Sequence, residues 1–394
     1  MRASLRPLLL VLCAGASVAL AGCAGSARPV STETLVAARE ARQARYTLAR
    51  AEVAARLAAR VAATGQREVH MLVLSGGGQH GAFGAGFLGG WRARTGAGAM
   101  PSFDVVTGIS TGSLLAPFAF EGSPEALARA ADLYRHPERI TPRRDLAGAL
   151  FRRTGGLFDT TPLVETAAEV YDAALVARLR PGLRDGRLLL IGTTDLDLGR
   201  GRVWDAAREL DTTDAAAAAR LSRLLLASSA IPGAFPPVEI DGNYHTDGGV
   251  TTNLLGTDLA FLRAFAGALA ARGVAHPVEV HVYALVNLWL APPVASVDAG
   301  SFQAVSRRAN GLLFALHQQE TLERLWELSE GVRAGAVPGL RMTFRYAAIP
   351  DAWAAEPGAQ ALFDAPYMNR LQEYAFARAQ SDAPWDRLPP GPFE

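Results

Sequence analysis

The run Val69–Leu74, apolar but for His70, passes directly into Ser75-Gly76-Gly77-Gly78-Gln79-His80-Gly81 and then into a helical pattern from Ala82 to Arg94. A continuous apolar run of this length reads as a strand buried on both faces, and glycines placed directly after it let the chain turn tightly into the helix. The same succession returns once. Phe103–Thr107 reads as a second strand, Gly108-Ile109-Ser110-Thr111-Gly112 as its turn, and Thr111–Phe120 as its helix. Leu188–Thr193, Val238–Ile240 and Val278–Leu285 are further strand candidates, with helices expected near 215–228 and 257–271. Strands alternating with helices predict an α/β sandwich with parallel pairing at its centre.

The chain is 394 residues long and 49% hydrophobic, enough to bury a core, so disorder is excluded as its main state. Its 39 basic and 38 acidic side chains nearly cancel, which gives no support for nucleic-acid binding. Both cysteines, Cys13 and Cys23, lie at the start, where Arg2 and Arg6 precede the apolar run Leu8–Leu20. This is the pattern of a secretory signal. The ending Leu20-Ala21-Gly22-Cys23 resembles the lipobox of bacterial lipoproteins, which implies a signal peptide over 1–22, cleavage before Cys23 and diacylation of Cys23. The competing readings are a plain signal peptide cut nearby and an uncleaved anchor. Lipidation of Cys23 implies a membrane-anchored envelope protein without a disulfide. Ala24, where inner-membrane retention shows aspartate, points to the outer membrane.

Residues 23–66 read as a lipidated N-terminus and helical spacer, with a helix over 32–63 starting among Ser31, Thr32 and Thr34. It is either a stalk or a helix packed on the main domain. Val53, Leu57 and Val61 recur every four residues and need an apolar partner, which favours packing. Residues 67–300 are assigned to the central domain. Residues 301–394 are assigned to a mainly helical extension, with Phe302–Gly331 and Ala365–Ala379 its best periodic stretches and a Pro389, Pro390, Pro392 tail.

Three motifs carry chemistry. Glycine-rich backbone after a strand aims several N–H groups into one cavity and can hold a phosphate or a developing oxyanion. Alone, the loop at Gly76, Gly77 and Gly78 fits a dinucleotide site, a phosphate loop or a structural turn. A Walker loop is excluded because no Gly-Lys-Ser/Thr follows. In the second motif, Ser110 on a tight turn between strand and helix presents its hydroxyl above the sheet edge, and Gly108 and Gly112 permit the strained backbone. The bland alternative is a helix-capping serine. The third motif, Asp247-Gly248-Gly249, follows the block Ala227-Ser228-Ser229-Ala230-Ile231-Pro232 and precedes Asn253. By itself Asp-Gly is a turn former.

Taken together and in this order, the glycine loop, the Gly-x-Ser-x-Gly elbow, the Ala-Ser-x-Ala-x-Pro block and the Asp-Gly-Gly turn resemble the patatin-like phospholipase family over roughly residues 69–290. The resemblance implies a patatin-like three-layer α/β/α sandwich with a mostly parallel central sheet. It implies Ser110 as nucleophile with Asp247 as its partner, and oxyanion-hole amides at Gly76, Gly77 and Gly78. Gly108, Gly112, Gly248, Gly249 and Asn253 are implied as supporting residues. No cofactor and no metal is implied, and the partner is a phospholipid or other acyl-lipid substrate. His80 stands where the family usually has Arg or Lys, so His80 either anchors the loop by hydrogen bonding or contributes charge at lower pH.

Two rival readings remain. A Ser-His-Asp esterase would draw its imidazole from His276, His281 or His317, all after Asp247, with His245 as a rim candidate. A non-catalytic lipid-binding envelope lipoprotein would use the same fold, although degenerate members should lose the nucleophile, the aspartate or the glycine loop. The stretch Val286–Val294, containing Trp289, reads equally as an interfacial lip or as a packed strand end.

Overall fold

The computed structural model describes residues 30–145 and 155–387. Cys13, Cys23, the signal segment and the proline-rich tail lie outside these residues.

The first strand forms as expected, with β1 at Glu68–Leu74 and α2 at Gly81–Arg92 behind it. They follow an N-terminal helix, α1, at Thr32–Thr64. Ser31 caps α1, its side chain accepting from the Thr34 amide at 3.2 Å, and Gly65 closes it in the left-handed conformation. Next come β2 (Val105–Ile109), α3 (Thr111–Glu121), α4 (Pro124–Arg135), α5 (Thr161–Val170) and α6 (Ala173–Arg184). The chain continues through β3 (Leu188–Asp195), β4 (Arg200–Asp205), α7 (Asp214–Ser228), β5 (Val238–Ile240) and β6 (Asn243–Asp247). The last elements are α8 (Leu259–Ala270), β7 (Val278–Trp289), α9 (Phe302–Arg333), β8 (Leu340–Ile349) and α10 (Ala365–Gln380).

These eight strands make one sheet in the order β8-β7-β1-β2-β3-β6-β5, with β4 also on β3, and Arg143–Arg144 pairs with Phe158–Asp159 in a separate two-stranded sheet. Pairing is parallel from β8 to β3 and antiparallel where β4, β5 and β6 join. Side chains alternate across it. Leu72, Leu74, Val106 and Leu285 face a core shared with α2 to α7 and α10. Val69, Met71, Val73, Val280 and Val282 face a second core shared with α1, α8 and α9. The result is a mostly parallel sheet between two helical layers, in agreement with the fold class expected.

The α1 stripe is buried rather than presented as a stalk. Ala54, Leu57, Ala58 and Val61 enter the second core, and Arg60 pairs with buried Asp104 at 3.0 Å. Arg56 pairs with Asp205 at 2.8 Å.

The extension assigned beyond residue 300 holds a strand beside its helices. Leu340–Ile349 is not helical but the edge strand of the central sheet, running parallel to β7, and α10 packs on α2. Burial alternates along β8, with Leu340, Met342 and Phe344 inside and Arg341 and Thr343 outside. Val286–Trp289 continues β7, and Trp289 and Leu290 are buried, whereas Val294 beyond them is fully exposed. The anticipated lip thus divides into a packed strand end and an exposed loop.

Candidate active site

One feature of the sheet brings the elbow and the acid turn together. β2 ends at Ile109 opposite Gly192 of β3, and on that same edge β6 takes over with Asp247 opposite Thr193. Ser110, the next residue after Ile109, therefore meets the end of β6 head on. Ser110 and Asp247 line one cavity, both are almost wholly buried, and the Ser110 side chain is near enough to pull the Asp247 pKa down.

Ser110 has φ 51° and ψ −126°, a conformation that L side chains rarely adopt. Such strain persists only where neighbours over-determine it. The Ser110 amide donates to the Ser228 hydroxyl at 2.9 Å, and that hydroxyl donates to the Gly192 carbonyl at 2.7 Å. The Ser110 carbonyl accepts from the Ser113 hydroxyl at 2.6 Å and the Ser113 amide at 2.8 Å. Gly112 lies against the Leu74 and Ser75 carbonyls, where any Cβ would overlap backbone, and Gly108 is equally close to Gly112 and Ser113.

Asp247 accepts the Gly249 amide at 2.7 Å, and its own amide donates to Ala230 at 2.9 Å. Burial pushes its pKa up from 3.8 to about 6, while the nearby Ser110 side chain and the Gly249 amide pull it down. Gly248 packs on the Gly192 carbonyl, too near for a side chain.

The glycine loop divides its work. The Gly76 amide donates to the Asn253 carbonyl at 3.3 Å, so it is already engaged. Gly77 and Gly78 line the cavity with Ser110, Asp247 and Asn253, and their amides have no hydrogen-bond partner among the described residues. At Gly77 φ is 155°, and a Cβ there would collide with the Asn287 carbonyl oxygen. Asn253 is buried and donates through Nδ2 to Gln318 of α9 at 2.6 Å, so it ties the loop to that helix.

His80 is buried with its ring between two carbonyls. Nδ1 lies 2.9 Å from the Gly77 oxygen and Nε2 3.1 Å from the Ala359 oxygen. Burial pushes its pKa down to about 4, against the pull of both carbonyls. At neutral pH the ring is therefore uncharged and donates one hydrogen bond, leaving the second carbonyl without a proton from it.

Several supports were not foreseen. Asn287 of β7 donates through its amide to the Ser75 hydroxyl and through Nδ2 to the Ser75 carbonyl, both at 2.8 Å, and it accepts from the Gly84 amide at 2.9 Å. An asparagine inside the apolar run Val282–Leu290 was the available signal. Gln79 reaches the carbonyls of Gly358 and Ala359, and the Asp364 amide donates to its Oε1 at 2.8 Å. Residues 354–362 thereby become a wall of the site, which neither the motifs nor their spacing indicated.

The candidate imidazoles lie elsewhere. His245 is fully buried, with Nδ1 3.0 Å from the Thr193 hydroxyl and Nε2 facing Asp195, so it is not a rim residue. His281 stacks on His70, His276 is in a loop contacting Pro277, and His317 lies on α9 beside Glu320. None of the four lines the cavity holding Ser110. The cavity measures about 770 Å³ and is mainly apolar, with Ile231, Leu288, Trp289 and Ala315 in its wall. Among its described lining residues Arg308 is the one permanent cation, and its Nη1 donates to the Pro293 carbonyl at 2.8 Å.

Comparison with known proteins gives three findings. The patatin-like phospholipase model matches residues 72–260. No curated protein matches the chain. Among solved structures, the crystal structure of VipD from Legionella pneumophila aligns with 12% identity and a TM-score of 0.33, covering 80% of this chain and 66% of that one, just short of two thirds of its length.

Proposed function

Residues 72–260 are a patatin-like phospholipase domain, an enzyme domain of the lipid acyl hydrolase class, and on that premise we propose that this protein hydrolyses ester bonds of phospholipids or related acyl lipids through a Ser110/Asp247 dyad. The observation that carries the reading is a strained, buried serine set beside a buried carboxyl group at the wall of one apolar cavity. A capping serine has no need of that backbone, and Ser110 makes no side-chain cap bond to α3.

In the proposed cycle the Ser110 Oγ attacks the ester carbonyl while its proton passes to Asp247. The amides of Gly77 and Gly78 stabilise the oxyanion of the tetrahedral intermediate, beside Gly76, whose own amide is held by the Asn253 carbonyl. Collapse expels the alcohol, which takes the proton from Asp247. Water then attacks the acyl-serine with Asp247 as base, the fatty acid leaves, and Ser110 recovers its proton. A carboxyl group with a pKa near 6 serves both directions better than an ordinary one, because it accepts and returns the proton near neutral pH.

The apolar wall suits an acyl chain and Arg308 suits the phosphate of its head group. Replacing Arg308 by Ala is expected to raise KM for an anionic phospholipid by about tenfold and to leave a short neutral ester unaffected. Membrane anchoring through Cys23 and residence at the outer membrane belong to the same proposal, resting on the lipobox-like Leu20-Ala21-Gly22-Cys23. Product analysis on phospholipid vesicles tests the reaction. Free fatty acid and lysophospholipid are expected from the wild type and neither from Ser110→Ala; equal release by both would refute the dyad.

A further inference from the structure

We propose that the first half of α9, together with the loop before it, is the face by which this protein docks on an anionic lipid bilayer; the proposal rests on the hydrolase reading above, since a bilayer is where such a substrate is presented.

Phe302, Val305, Ala309, Leu313 and Leu316 recur at three- and four-residue steps and so share one side of the helix. Phe302 is 85% exposed, Leu313 68%, and Val305 and Leu316 both 43%. A neighbouring side of the same helix, made by Ala304, Arg308, Gly311 and Ala315, lines the cavity that holds Ser110. One helix thus joins an uncovered apolar stripe to the wall of the active site. The loop before it extends the surface: Val294 and Val297 are exposed and also line that cavity, as does the exposed Leu362.

Charge selects the occupant. Between Asp298 and Glu320 the sequence has no acidic residue and two arginines, Arg307 and Arg308. An apolar stripe on a locally basic helix is the composition of an in-plane interfacial helix, and its field favours anionic head groups. Docking on this face would place the cavity mouth against the bilayer, so an acyl lipid could enter without crossing water.

The test uses the full chain carrying Cys23→Ser, so that no acyl anchor contributes, and Ser110→Ala, so that the vesicles survive. Co-sedimentation is measured with phosphatidylglycerol and with phosphatidylcholine vesicles. The proposal expects stronger partitioning into phosphatidylglycerol, reduced about tenfold or more by the pair Leu313→Glu and Leu316→Glu. With Ser110 restored, the same pair should hydrolyse a soluble short-chain ester at the unaltered rate. Unchanged partitioning in the pair, or no vesicle binding by the parent, would overturn the proposal. So would a concentration-dependent dimer abolished by the pair while partitioning stays constant, which would assign the stripe to a second copy. Loss of soluble-ester hydrolysis in the protein with native Ser110 would instead count against the hydrolase reading, because vesicle binding is read separately.

Discussion

At Ser110 and Asp247 the proposed chemistry depends on two local costs, a strained backbone and a buried carboxyl group. Ser228 holds the Ser110 amide, so Ser228→Ala should leave that strained turn unanchored and lower kcat by about tenfold or more, with little change in KM. Asp247 must be ionised to accept the proton, and burial pushes its pKa up to about 6. The plot of kcat/KM against pH is therefore expected to rise through an acid limb near 6. A limb at the ordinary carboxylate value of about 4 would show that Asp247 is not the titrating group. The two buried groups act oppositely on stability. His80 has its folded pKa lowered to about 4 from 6.5, so its contribution is present above about 6.5 and is lost as pH falls towards 4. Asp247 has its folded pKa raised, so the cost of keeping it ionised grows as pH rises from 3.8 towards 6. Relative to wild type, a His80→Gln variant should lose less melting temperature between pH 6.5 and 4. Sequence motifs alone pointed to Ser110, Asp247 and the glycines as candidates. They left Asn287, Ser228 and Gln79 without roles: a polar residue in an apolar run marks Asn287 as needing partners, but the partners of all three lie across the fold and have no local pattern.

Among the elements, those with an undiluted period were the ones legible beforehand. β1, α3 and α9 follow continuous apolar runs or helical spacing, and the Val53, Leu57, Val61 stripe required a partner for α1, which α8 and the sheet provide. Leu57→Ala should destabilise the fold by about 2–5 kcal/mol, seen as a lower midpoint in urea, with catalysis at the folded baseline unaffected. β8 was readable by the same logic, since Leu340 to Tyr346 alternates apolar and polar. The surrounding helical stretches masked it. The loop at residues 354–362 had no such signal, because its role comes from Gln79 and His80 reaching its carbonyls. For the glycine loop the expected outcome is sharper. Gly77→Ala would drive a Cβ into the Asn287 carbonyl, displace the two amides assigned to the oxyanion, and cost about 10²–10³ in kcat.

For the whole molecule, sheet topology explains why two motifs distant in sequence make one site. The exchange of β2 for β6 along one edge of β3 sets Ser110 against Asp247, and the parallel strands deliver the glycine loop and the elbow to the same end of the sheet. α9 and the loop after β8 then enclose the cavity from the C-terminal third of the chain, a region outside the residues matched by the family model. Motif order conveyed the central domain, whereas the contribution of that third depends on packing between elements distant in sequence. The central claim is that Ser110 is a nucleophile activated by Asp247. Incubating the protein with a fluorophosphonate probe and locating the adduct by peptide mass spectrometry tests it most directly. One adduct is expected, on Ser110, absent in Ser110→Ala and formed much more slowly in Asp247→Asn; labelling of another residue, or a rate unaffected by Asp247→Asn, would rule out the proposed dyad.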